Sequence, residues 1–144
     1  MSAKIIDGVA IASEIRMGLK QEVEALALEG FHPGLAVVLV GDNPASQVYV
    51  RNKKKACAEI GITSFSHELP NDCTEDRLLG LVRELNEDER VHGILVQLPL
   101  PKHLDEQKVV NAMSPAKDAD GLHPANVGKM LNGEMGLRPC TPRG

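Results

Sequence analysis

Rings are almost absent from this chain. It has no tryptophan, one tyrosine and two phenylalanines, and the full set is Phe31, Tyr49 and Phe65. A single-strand nucleic-acid binder needs aromatics stacked along a basic groove, whereas the net charge here is −4. No nucleic-acid partner is expected. Cysteine is scarce as well. Cys57, Cys73 and Cys140 are odd in number and form no C-x-x-C pair, so spacing argues against a structural zinc site. Free thiols in a reducing cytoplasm are the expected state. His32, His67, His92, His103 and His123 show no metal-ligand spacing, and no metal is expected. Apolar runs are short, none long enough to span a bilayer, so no membrane partner is expected. The start, MSAKIIDGVA, lacks the basic start followed by an apolar run that marks a secretory signal. Neither G-x-S-x-G nor G-x-G-x-x-G occurs, so nothing here binds a dinucleotide by the usual route.

What is present fits one globular domain. The chain has 144 residues, 42% of them hydrophobic and 25% charged, enough to bury a core without disulfides or metal. Apolar residues from Val9 to Ala27 recur at three- and four-residue steps and predict a helix over 8–29, ended by Gly30. GLAVVLV at 34–40 is a short continuous apolar run rich in β-branched residues, which suits a parallel strand buried on both faces. Asn43 is a natural N-cap, Pro44 fits a first helical position, and Gly61 ends the helix that follows. ITSFSHELP at 62–70 reads as a second strand. Thr74 caps a third helix to about Glu89, with Glu75 and Asp76 favoured by the helix dipole in its first turn. Ile94, Leu95 and Val96 form a third strand, and 105–113 and 124–131 are short helices. Alternating strands and helices predict an α/β three-layer sandwich: a mostly parallel sheet with helices on both faces, Rossmann-like without the dinucleotide fingerprint. Such sheets bind ligands beyond the carboxyl ends of their strands.

HGILVQLPLP at 92–101 breaks its own pattern at that end. Gln97 puts an amide where a core residue is expected, and Pro99-Leu100-Pro101 stops the strand. The ordinary reading is a satisfied polar strand terminus; the functional one is an amide facing a crevice. Tyr49 and Lys53 are four apart on the predicted helix 44–60 and share a face. A helical wheel puts Ala45, Val48, Tyr49, Ala56 and Ile60 in the buried stripe, with Lys53 at its border. The basic run 51–55 is ordinarily a solvated face. An amine partly sheltered from water holds its proton less tightly, so it can trade protons or steer a water. KDADG at 117–121 is a turn by its Asp-Gly pair, or a carboxylate offered to paired N–H donors of a heterocycle. GDNPAS at 41–46 has the strand-to-helix position of an anion loop but only one glycine.

PASQVYVRNKKKACAEIGI, GILVQLPLP, KDADGLHPANVG and RPCTP, in this order, resemble the bifunctional methylenetetrahydrofolate dehydrogenase/methenyltetrahydrofolate cyclohydrolase family. KIIDG at 4–8 and GLAVVLVGDNPAS at 34–46 extend the resemblance over essentially the whole chain. It implies an enzyme of one-carbon metabolism. Such an enzyme oxidises methylenetetrahydrofolate with NADP or NAD and hydrolyses the methenyl product to formyltetrahydrofolate. By the resemblance, Lys53 is the catalytic lysine of the cyclohydrolase step, and Gln97 holds and tunes it. Tyr49 stacks on the aminobenzoyl ring, Asp120 takes the pterin amino and ring N–H groups, and Val96, Pro99 and Leu100 complete the substrate-binding set.

The resemblance also carries expectations about the whole protein. The folate-binding catalytic domain spans 1–138, and 139–144 begins a linker to an NAD(P)-binding domain that holds most of the cofactor. Tetrahydrofolate derivatives are the expected ligands and a homodimer the expected full-length assembly. The family's valine within KDxDG is Ala119 here, a small apolar exchange. Two other readings stand beside this one: a truncated folate-binding or interaction module without turnover, and an α/β ligand-binding domain unrelated to folate.

Overall fold

A computed structural model describes residues 5–139. The expected domain boundary lies at the edge of that range, and Cys140 and the expected linker beyond Pro139 lie outside it.

The elements form where the local signals put them. Helix α1 (Gly8–Leu28) starts at Asp7, whose carboxylate accepts from the backbone N–H groups of Val9 and Ala10. Strand β1 (Gly34–Val40) leads into α2 (Pro44–Ile60), with Asn43 accepting from Ser46 N and Gly61 closing the helix at φ 87°. Strand β2 (Thr63–Leu69) and helix α3 (Glu75–Glu87) follow, the latter capped by Thr74. Then come β3 (Gly93–Val96), α4 (Glu106–Ala112) and α5 (Pro124–Leu131). Among the described residues no helix is long and apolar enough to cross a membrane.

The sheet order is β2–β1–β3, and both pairings are parallel. β1 is therefore central, which is why its residues run apolar without alternation. The chain leaves β1 through α2 toward β2, then returns through α3 to the far side of β1. Right-handed crossovers in opposite directions put their helices on opposite faces. Packing agrees. Ala36, Val38 and Val40 lie in one core with Leu78, Val82, Ile94 and Val109, while Val37 and Leu39 join Val50 and Leu95 in another. Asn86 ties the first face together, donating to Ala112 O at 2.8 Å and accepting from Ser114 N at 2.8 Å.

α1 forms as its spacing predicts, but its apolar stripe is largely uncovered. Val23 is buried, whereas Val9 is 79% and Ile15 57% exposed. The helix packs mainly on α2, so little of its surface meets another element.

Candidate functional site

The strand order fixes where a site can form. The chain exits β1 into α2 on one face and exits β3 toward α4 on the other, so a crevice opens between the two carboxyl ends. Three of the sequence-predicted side chains meet there.

Lys53 arrives on α2. The helix buries Ser46, Val50, Cys57 and Ile60. Lys53 falls in this stripe, three residues after Val50 and four before Cys57, and is half-buried. The border position of Lys53 and the inward Ala56 and Ile60 agree with the helical wheel, whereas Ala45 is exposed, Val48 is 43% and Tyr49 61% exposed, so the first turns bury Ser46 and Val50 instead. Ser46 and Cys57 are buried, and Val50 packs with Val37 and Leu39 of β1. Cys57, one turn past Lys53, is a free thiol whose pKa is raised by burial, which keeps it protonated and inert.

Gln97 follows β3 directly. Its N–H donates to Val38 O at 2.8 Å, extending the ladder by one rung. Its Nε2 donates to Leu98 O at 2.8 Å, which turns Oε1 toward Lys53 Nζ at 3.5 Å. That separation is at the outer limit of a hydrogen bond, so the pair is in register without being locked. Past it, the Leu98–Pro99 peptide is cis. Leu100 N donates to Glu106 Oε1 at 2.8 Å, pinning this turn to the start of α4. Pro99, Leu100 and Pro101 line a cavity of about 260 Å³ with Val40, Asp42, Asn43 and Asn71. Pro99 is exposed, but Leu100 is mostly buried. Val96, 3% exposed, belongs to the core under α3 and α4, so its side chain backs the strand end and does not face the crevice.

Asp120 comes from the loop that follows α4. Lys117 O accepts from Ile94 N at 2.6 Å and Ala119 N donates to Ile94 O at 3.1 Å, which lays this loop parallel to β3. Burial raises the Asp120 pKa, the Lys53 ammonium partly offsets that, and the carboxylate of Asp118 adds to the rise. Lys53 is thus the common neighbour of Gln97 and Asp120. Gly121 allows the turn: its φ is 66°, and an added Cβ would lie 2.7 Å from the carbonyl carbon of Arg138.

Tyr49 sits one turn along α2 from Lys53 with its ring largely open to solvent. The other two rings are remote, at the amino end of the sheet. Phe31 meets His92 edge-on at 4.5 Å, and Arg90 lies over Phe65 at 5.5 Å. Tyr49 is therefore the one aromatic at the crevice end.

Sequence reasoning missed three residues of the loop's support. Lys117 Nζ donates to Leu85 O and Asp88 O, capping the end of α3. Asp118 and Asn126 are buried polar partners. The Asp-Gly turn signal hid them: side chains two apart in extended backbone share a face, and it is the turn closed by Gly121 N on Asp118 O that separates the buried Asp118 from the half-buried Asp120.

Comparison with known proteins places the chain in a family and a fold. Residues 6–120 fit the family model for the tetrahydrofolate dehydrogenase/cyclohydrolase catalytic domain. The bifunctional protein FolD of Magnetococcus marinus is 61% identical over 143 residues, covering 99% of this chain and 50% of that one. The crystal structure of the bifunctional FolD dehydrogenase/cyclohydrolase from Campylobacter jejuni has a TM-score of 0.93 at 47% identity, over 95% of this chain and 49% of that one. The Trypanosoma brucei enzyme, complexed with NADP cofactor and an inhibitor, has a TM-score of 0.93 at 42% identity, over 99% of this chain and 50% of that one. The chain spans about half the length of the curated relatives it matches.

Proposed function

The chain belongs to the tetrahydrofolate dehydrogenase/cyclohydrolase catalytic-domain family, and on that premise we propose that it is the folate-binding catalytic part of a bifunctional enzyme. The enzyme oxidises methylenetetrahydrofolate to methenyltetrahydrofolate and hydrolyses that to formyltetrahydrofolate. The observation that carries this reading is Lys53, held 3.5 Å from the Gln97 amide oxygen and acting on the half-buried Asp120 carboxylate.

In the hydrolytic step, water adds to the methenyl carbon and loses a proton. One of the two carbon–nitrogen bonds then breaks, and the released nitrogen takes a proton. Lys53 is the group that carries these protons. Gln97 orients its amine by accepting one of its hydrogens, with the amide itself fixed by Leu98 O. Asp120 accepts paired N–H donors of the pterin, a charge-assisted contact that sets the ring's register. Tyr49 offers its exposed ring to the aminobenzoyl group, which gains an enclosing face only when the ligand is present. Pro99, Leu100 and Pro101 form a stiff wall.

Hydride acceptance is the chemistry that NADP or NAD supplies in the oxidative step. The residues after β1 do not fit a dinucleotide. That turn has a single glycine, its helix-start N–H at Ser46 is already taken by Asn43, and Asp42 adds a carboxylate where a pyrophosphate would bind. The same reading takes tetrahydrofolate derivatives as ligands, a homodimer as the assembly and the cytoplasm as the compartment.

The test is Lys53→Met, which keeps the stem of the side chain and removes the amine. Cyclohydrolase activity is expected to vanish while reduced-folate binding, followed by absorbance titration, persists. Undiminished hydrolysis in that variant refutes the role of Lys53. Absence of reduced-folate binding by the wild-type chain refutes the reading as a whole.

A further inference from the structure

We propose that Asp118 is a positioning residue for the folate site, its buried carboxylate fixing where Asp120 stands and setting the charge that Asp120 works against. This rests on the functional reading above, because the position of Asp120 matters only if Asp120 holds the pterin.

Asp118 is fully buried, at 0% exposure. Its Oδ2 accepts from His123 N at 2.8 Å and from Asn126 Nδ2 at 2.9 Å. Asn126, 3% exposed, also donates to Pro115 O at 2.8 Å, so one amide clasps both sides of the loop to α5. The backbone of Asp118 is meanwhile bridged to Ile94 of β3, the strand that ends at Gln97. Side chain and backbone together fasten this loop to α5 on one side and to β3 on the other. Asp120 is two residues further on, at the turn closed by Gly121 N donating to Asp118 O at 3.2 Å.

Hydrogen bonding alone does not explain a carboxylate here. Oδ1 is buried without a partner, and both donors go to Oδ2. An asparagine carbonyl would accept from the same two donors. What aspartate can add is a negative charge, in a desolvated position two residues from Asp120, where a charge is poorly screened. The charges that act on Asp120 are Asp118 from its own loop and Lys53 from α2. His123, at the start of α5, has its Nδ1 occupied by Ala125 N. Asp118 therefore acts on Asp120 with the opposite sign to Lys53: the ammonium favours the ionised Asp120, and a buried carboxylate resists it.

Two variants separate position from charge. Asp118→Asn keeps the acceptor and removes the charge; Asp118→Ala removes both. Reduced-folate dissociation constants are measured against pH, and the Asp120 carboxyl is titrated by carbon-13 NMR without folate. In Asp118→Asn the Asp120 midpoint and the acid limb of folate binding both move to lower pH, with melting temperature near wild type. In Asp118→Ala binding weakens roughly tenfold at neutral pH, as for one lost buried tie, and Asp118→Asn largely restores it. An Asp120 midpoint unchanged in Asp118→Asn, or wild-type affinity in Asp118→Ala, overturns the proposal. If Asp120→Asn binds folate like wild type, the pterin role of Asp120 fails instead, and the NMR titration still decides the charge coupling.

Discussion

Asp120→Asn is expected to improve stability and damage binding at once. The side chain keeps its shape, so the loop and the Gly121 turn are undisturbed. The folded protein, however, resists ionising Asp120, chiefly because the group is buried and also because Asp118 is near, with Lys53 only partly compensating. For an acid whose folded pKa lies above its unfolded value, the ionised form opposes folding at every pH above the folded pKa, and the opposition vanishes below the unfolded value of about 4. The amide removes that opposition. The variant therefore melts higher than wild type at neutral pH, and the two curves converge as pH falls toward 4, where wild-type Asp120 is itself protonated. Folate binding moves the other way. Replacing a charge-assisted acceptor by a neutral amide, which also turns a donor toward the pterin N–H groups, costs about 1–3 kcal/mol, or roughly a 5- to 150-fold weaker dissociation constant. Calorimetry from pH 4 to 8 and folate titration on the same preparations measure both. A variant less stable than wild type at neutral pH would show that Lys53 outweighs burial at this carboxylate. Unchanged affinity would remove Asp120 from the pterin contact.

Two further substitutions probe the frame. Asp88 accepts from Arg90 Nε at 3.0 Å and Nη2 at 2.7 Å and from its backbone N–H, and these bonds hold its pKa down at about 2. A depressed carboxylate stabilises the fold above its unfolded pKa and loses that contribution as pH falls to the folded value. Wild type should thus lose stability between about pH 4 and 2, and Asp88→Asn should lack that component in a melting series; identical acid profiles would exclude it. Gly121→Ala puts a Cβ 2.7 Å from the carbonyl carbon of Arg138 at a φ of 66°. It should destabilise by about 1–3 kcal/mol and weaken folate binding together, since Asp120 moves with the turn. Urea denaturation and folate titration test this, and loss of stability with intact binding would uncouple the turn from the site.

Much of the fold was legible because its signals are local. Asn43, Pro44 and Gly61 bracket α2 by capping chemistry that involves only neighbouring atoms, and the seven apolar residues of β1 announce a central strand by refusing to alternate. The site was partly legible too, since Gln97 contradicts its strand and Lys53 and Tyr49 share a helix. The wheel for α2 was right at Lys53, Ala56 and Ile60 and wrong in the first turns, where Ser46 is buried and Val48 and Tyr49 are exposed, because hydrophobicity does not say which residues find a packing partner.

The sequence by itself determined the elements, their order, the parallel sheet and the residue types available for proton handling and pterin recognition, because caps, breaks and periodicity act over a few residues. Only the tertiary structure decided that β3 returns to the far side of β1, that the crevice between their ends gathers Lys53, Gln97 and Asp120, and that Asp118 turns inward while its near neighbour serves the site. Those outcomes depend on crossover direction and on burial from elements tens of residues away, and no short window of the chain contains them.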